Sequence, residues 1–348
     1  MIRFAWMQAR SQTVMAYALL AAVAIAAVIT GVQLAHVYSS TVAHCQSGCG
    51  LAIQQYLSRD RFMDQTLDIL SRAVPALLGM FWGAPLLARE YETGTFRLAW
   101  TQTISKRRWL LTRIGLGAVA TLVLTGLFSL TVTWWYHSRD KIGSNAYDVF
   151  DRRDLVPVAY ALFAFAAGVM FGALIRRTIP AMVATLGLFV FARIAVSLWV
   201  RPQLLAARHA VVTLDRGGPA NLGIELSNGG TPHIIANGGG PVGSWTQSSH
   251  FVTPAGQRVS ASQLAAFVHQ HCASLLTTAP PVGGKTQVSP SDPGALCLDQ
   301  VAKSFELSVA YQPASRYWSF QWWEAAIFIA LTLVALSGTY WWVTEKGE

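Results

Sequence analysis

Six runs of about 20 mostly apolar residues dominate this chain, at roughly 14–36, 67–88, 110–136, 156–175, 179–200 and 320–343. Each is long enough to cross a hydrocarbon layer of ~30 Å as a helix. In lipid the backbone must satisfy its own hydrogen bonds, which leaves helices as the form these runs can take. The expected fold class is therefore an all-α polytopic membrane protein with six transmembrane helices. Composition agrees: 12% of the 348 residues are charged, about half the share usual in soluble domains. Arg3 and Arg10 precede the first run, as in a signal peptide. That run is longer than a signal core of about 7–15 residues and no clear Ala-x-Ala site follows, so it reads as a retained span.

Basic residues set the expected orientation. With the N-terminus inside, the inner segments hold Arg3, Arg10, Arg89, Arg97, Lys106, Arg107, Arg108, Arg176, Arg177 and Lys346. The short outer loops hold Arg59, Arg61, Arg139, Lys141, Arg152 and Arg153, a smaller set. All eight histidines and all four cysteines then fall at or beyond the outer span ends. Aromatic clusters such as Trp134-Trp135-Tyr136 and Trp322-Trp323 mark span ends, as an interfacial belt requires. Residues 1–12 mix Ile2, Phe4, Trp6 and Met7 with two arginines, the pattern of a short interfacial helix. The formal charge of +9 sits in short loops beside apolar runs rather than on one stripe. Topology accounts for it better than nucleic-acid binding does.

Three parts follow: a membrane domain at 1–200, a second domain at 201–317, and a last span with a short tail at 318–348. The middle interval is rich in Gly, Pro, Ser and Thr, with candidate strands at Ala210–Leu214 and Phe305–Tyr311 and a candidate helix at Ser260–Leu276. Trp245, Phe251, Phe267 and Tyr311 provide a core, so a mixed, partly β extracellular domain between spans five and six is expected. Cys45, Cys49, Cys272 and Cys297 all lie outside on this topology. Four cysteines in an oxidising compartment point to two disulfides with three connectivities, of which the local pairing Cys45–Cys49 and Cys272–Cys297 is the simplest. A metal alternative rests on His269-Gln270-His271-Cys272 and on His44-Cys45 with Cys49. Histidines on an external helix face are more often simply solvated, and no metal is expected.

Catalytic signatures are scarce. Gly284-Lys285-Thr286 resembles the tail of a phosphate loop, but Ala279 stands where the first glycine belongs and Pro280-Pro281 interrupt it. There is no His-Glu-x-x-His and no Gly-x-Ser-x-Gly. The chain itself is expected to be no enzyme and to hold no cofactor. Within the spans, Arg193 lies about two turns from the outer end of the fifth run, a costly position that marks a functional candidate. Asp68 and Glu324 are its candidate partners; snorkelling to the outer headgroups is the plainer reading. Pro75 and Pro180 are expected to break their helices locally. Gly168-x-x-x-Gly172 would permit close helix contact.

The polar segment between the second and third runs remains. It reads Arg89-Glu90-Tyr91-Glu92-Thr93-Gly94-Thr95-Phe96-Arg97-Leu98-Ala99-Trp100, followed by a Lys106-Arg107-Arg108 cluster. Phe96 and Trp100, four residues apart, would share one side of a helical turn, and Glu90 and Glu92 would suit its N-terminal end. A generic basic loop is the alternative. The segment resembles the first cytoplasmic loop of ABC-2 type exporter permeases, which reads roughly Glu-x-Glu-x-Gly-Thr, then a short helix and a basic turn. Thr103 stands where many relatives have proline, Lys106 where arginine is commoner, and the external interval exceeds the family's usual short hairpin. The resemblance implies a coupling loop of Glu90, Glu92, Gly94, Thr95, Phe96, Arg97 and Trp100 docking on a cytoplasmic ABC ATPase subunit. It also implies a second copy of the chain, ATP and Mg used by the partner ATPase, and outward movement of an amphipathic or hydrophobic substrate. The competing expectation is a membrane-anchored extracellular binding or sensor protein without transport.

Overall fold

The computed structural model describes residues 2–45, 49–94, 106–142, 145–214, 220–226, 232–271 and 293–346. They form two compact units, one of Met1–Ser144, Asp148–Leu204 and Trp318–Glu348, the other of Asn145–Tyr147 and Leu205–Tyr317. The first unit holds six helices long and apolar enough to cross a membrane, so the chain is a mostly helical multi-pass membrane protein.

Its elements are α1 (Ile2–Val37), α2 (Gly50–Arg59), α3 (Arg61–Leu78), α4 (Ala84–Thr93), α5 (Lys106–Asp140), α6 (Val156–Ile175), α7 (Thr178–Ala195) and, at its C-terminal part, α10 (Tyr317–Trp341). Five of the six spans run past the apolar windows read from sequence, while the fourth coincides with its window; the second, for example, covers Arg61–Thr93 without interruption. Pro75 does not end it. A π turn follows at Gly79–Gly83, after which the chain continues as α4. Pro180 does not break α7 either, because it sits in the first turn, where its missing N–H would have no helical partner.

The centre of this unit is α6, whose residues from Val156 to Val169 are buried on nearly every side. A helix apolar all round must be enclosed by others. Gly168 and Gly172 explain how closely the second span approaches it. A Cβ on Gly168 would lie 2.3 Å from the Gly79 carbonyl oxygen, and one on Gly172 would lie 2.5 Å from that of Ala84. Backbone therefore meets backbone here, the contact the small-residue spacing anticipated. Farther out, α1 packs on α3 and α5 through Ala27, Leu34, Leu67, Phe128, Val132 and Trp135.

The second unit contains β1 (Arg208–Thr213), β2 (Ala220–Leu226), β3 (Pro232–Gly238), β4 (Trp245–Val252), α8 (Ala261–His271), α9 (Pro293–Ser304) and β5 (Glu306–Gln312). Strand β5 lies between β1 and β4, antiparallel to both, while β2 and β3 pair as an antiparallel ribbon. Leu307 and Val309 alternate inward along β5, the period of a half-buried strand. Val268 of α8 and Cys297 and Val301 of α9 pack with Ile234, alongside Phe251, Phe267 and Phe305. The short segment 145–147 joins this unit: Asn145 donates to the Ser244 carbonyl at 2.9 Å and the Tyr147 hydroxyl to that of Pro313 at 3.0 Å. Burial pushes the Tyr147 phenol up to about 12, with Arg316 opposing.

Candidate functional site

Of the segment singled out above, Glu90, Glu92 and Gly94 are described; Thr95, Phe96, Arg97 and Trp100 lie outside the described residues. The acidic pair belongs to the last turn of α4, not to the start of a following helix. A carboxylate there opposes its own helix dipole, so other helices must supply the compensation. Glu90 meets Arg113 of α5 at 2.7 Å, with 12% and 15% of the two side chains exposed. The Arg113 guanidinium also lies over the Trp109 ring, 5.3 Å from its centroid.

Glu92 reaches the start of α7, accepting the Thr178 backbone N–H at 2.8 Å and its hydroxyl at 2.6 Å. The residue preceding α7, Arg177, makes no side-chain cap. Glu92 thus caps α7 from another helix, meeting both the unsatisfied N–H and the positive dipole end. Between them Tyr91 lies beneath the Arg176 guanidinium, 5.2 Å from ring centroid to Cζ. Arg176 adopts a left-handed backbone, φ 59°, and donates its N–H to the Gly172 carbonyl. Left-handed backbone usually falls to glycine at helix ends, as it does at Gly94, φ 69°, which ends α4. Three successive side chains of α4 therefore tie the entrance of the 95–105 segment to its exit helix and to the α6–α7 turn.

The opposite end of the same unit holds a buried charge cluster. Glu324 of α10 is fully buried and receives Arg201 through two parallel bonds of 2.7 and 2.8 Å. Two bonds in register fix orientation as well as charge. Tyr160 of α6 donates to the same carboxylate, and Arg201 also meets Asp151. Arg193 pairs with Asp151 at 3.7 Å and stands over the Tyr160 ring at 5.0 Å. Two guanidiniums thus face two carboxylates, with Tyr160 between them. Gln321 completes the join, accepting the N–H groups of Leu155 and Val156 at 3.2 and 3.1 Å and donating to the Phe150 carbonyl at 3.0 Å.

Of the two partners expected for Arg193, Glu324 enters its cluster through Tyr160 and Arg201, and the ion pair itself is with Asp151. Asp68 instead meets Arg152 and Arg72, each at 2.8 Å. Sequence reasoning missed Arg201, Asp151, Tyr160 and Gln321. One signal was legible: Arg193 and Arg201 stand eight residues apart, about two helical turns, on one face. In the turn before α6, burial raises the Asp148 carboxyl above the ordinary aspartate range, with Arg152 opposing.

Cys45 and Cys49 form a disulfide, as the local pairing expected. Cys297 is buried and disulfide-bonded, while Cys272 lies outside the described residues. Oxidation removes the Cys45 and Cys49 thiolates from any ligand set with His44, and no cluster of metal-ligating side chains occurs among the described residues.

The family model that matches is the ABC-2 membrane transporter related domain, over residues 17–201. The match takes in five spans, both partners of the Glu90–Arg113 and Glu92–Thr178 contacts, and Arg201, and it stops short of Glu324. No curated protein and no solved structure matches the chain. With more than half of its 348 residues matched and six spans of the required length, the chain belongs to the ABC-2 membrane transporter related family.

Proposed function

We propose that this chain is the transmembrane permease subunit of an ATP-driven ABC exporter in a bacterial cell membrane, with both termini cytoplasmic. The observation that carries this reading is the bracing of α4 on either side of residues 95–105, through Glu90 to α5 and through Glu92 and Tyr91 to the α6–α7 turn. A loop that transmits force from a soluble partner needs a stiff entrance and exit. Here the entrance is tied to three helices.

The chain supplies no nucleotide motif, so ATP and Mg act in a separate ATPase subunit, and the permease itself performs no chemistry. Phe96 and Trp100 are the apolar residues through which that subunit docks, with Glu90, Glu92, Gly94, Thr95 and Arg97 in the same coupling segment. Movement there passes through α4 and α7 to the Arg193–Arg201–Glu324 cluster at the outer end. Two copies and two ATPases form the working unit, embedded among membrane lipids. The substrate is amphipathic or hydrophobic, a drug, peptide or lipid-like molecule, because the spans present few fixed charges to a central path. The 205–317 unit stands outside the cell on this topology.

The test is co-purification of the tagged chain from detergent beside a Phe96→Ala, Trp100→Ala variant. An ATPase subunit recovered with the wild type and lost with the variant is the expected result. Recovery without an ATPase, or with one indifferent to the variant, would replace this reading with a binding or sensor role for the 205–317 unit.

A further inference from the structure

Span-forming helices divide sharply by what they turn outward. On α5 the exposed face carries Leu111, Leu116, Val119, Leu127 and Leu130; on α10 it carries Ile329, Leu333 and Val334. Such faces suit lipid. Helix α3 differs. Met63, Leu67, Ser71, Pro75 and Leu78 face inward, and Phe62, Gln65, Ile69 and Arg72 share the outward stripe at helical spacing.

Arg72 is 59% exposed there and paired with Asp68, itself 24% exposed, one turn earlier. Its depth can be read from neighbours. Asp64 accepts the hydroxyl of Tyr136, in the aromatic cluster that closes the third apolar run. Arg72 follows by eight residues, about 12 Å deeper. An arginine on the outer surface of a span at that depth is costly against hydrocarbon, and a contact with a second protein surface would offset that cost.

We infer that the α3 stripe is the contact between two copies of this chain, with Arg72 of each copy pairing with Asp68 of the other across a two-fold axis. The inference rests on the two-copy assembly proposed above and names its surface. A two-fold axis along the membrane normal brings one stripe against itself at equal depth, an isologous contact in which residue i meets j and j meets i. Helical side chains lean toward the N-terminus of their helix, so Arg72 arrives at the level of the opposing Asp68. Phe62, 82% exposed, and Ile69, 64% exposed, flank the pair. A water-filled path has no use for them, whereas a dry contact between helices does.

The test is oxidative cross-linking of the full chain in membrane vesicles with Ile69→Cys, the wild type and Leu333→Cys serving as controls. The expected result is a reductant-sensitive dimer band from Ile69→Cys and monomer from both controls. Adding Arg72→Gln to Ile69→Cys should cut the dimer band severalfold; an unchanged band would overturn the exchanged ion pair. Equal cross-linking from Leu333→Cys would mark random collision and sink the assignment. So would labelling of Ile69→Cys by a membrane-impermeant thiol reagent in place of cross-linking, the outcome of a water-lined path. A purified assembly of two copies that fails to cross-link at Ile69 would remove this surface and leave the exporter reading standing. Cross-linking without any ATPase in the pull-down would do the reverse.

Discussion

Glu92 and Glu324, at the two ends of the spanning unit, use charge in opposite ways. At the Glu92 end the carboxylate is exposed and caps a neighbouring helix through a backbone N–H and a hydroxyl. At the Glu324 end a fully buried carboxylate binds Arg201 in two places and receives Tyr160. An exposed cap is screened and cheap to break and remake. A buried pair is expensive to separate, because each charge left alone has lost its water. The first arrangement is a tie that re-forms readily once broken. The second suits a clasp that stays shut until most of the unit moves. Between them, α6 meets the second span backbone to backbone at Gly168 and Gly172, and this leaves little room for slippage along the way.

The comparison breaks first at Glu324. Replacing it with alanine strands Arg201 beside Asp151 in a dry setting and should cost about 3–5 kcal/mol, read as a large fall in the melting temperature of detergent-purified protein. A variant as stable as wild type would show that the cluster is open to water and that the two ends do not differ. Next comes Gly168→Val, which drives a branched side chain into the Gly79 and Ala84 backbone. Overpacking of this kind costs roughly 1–3 kcal/mol or more, and the same thermal measurement would detect it. A neutral outcome would mean that α6 and the second span move apart freely.

At the other end, Glu92→Ala should lower the melting temperature less than either of these, while hydrogen exchange accelerates in the first turn of α7. Loss as large as that from Glu324→Ala would mean that the exposed cap and the buried pair hold equally hard. The smallest effect concerns Asp148. Burial holds its folded pKa above the unfolded value, so the folded state keeps the proton to higher pH than the unfolded chain does. Its contribution to stability is therefore greatest below the ordinary aspartate range and is lost as pH rises through the raised folded value. Asp148→Asn should match wild type at acid pH and gain a slight advantage by neutral pH, a divergence visible in paired melting curves.

Particular residues show how far reading the chain could go. The six spans were legible because about 20 apolar residues have few other uses, and the Glu90–Gly94 pattern was legible because its spacing is ordered. Glu90 and Glu92 were nevertheless assigned to the wrong side of a helix boundary, since nothing local says that α4 runs on to Thr93. Arg201 escaped notice because it sits where the apolar run ends and reads as a loop arginine. Only the approach of α10 and the 150–156 segment turns it into the centre of a cluster. The segment 145–147 likewise reads as a plain connection between spans until Asn145 and Tyr147 are seen bonded within the second unit.

By itself, the sequence determined that this chain has six runs long and apolar enough to cross a membrane and an acidic-then-basic polar segment between the second and third. Those properties depend on hydrophobic length and short-range spacing, which one dimension records in full. Only the tertiary structure decided that Glu92 caps α7, that Arg201 rather than Arg193 holds Glu324, and that Arg72 faces outward. Each of these depends on which helix lies beside which, and residues 86 or 123 positions apart become neighbours only when the packing of α6 against its surroundings brings them together.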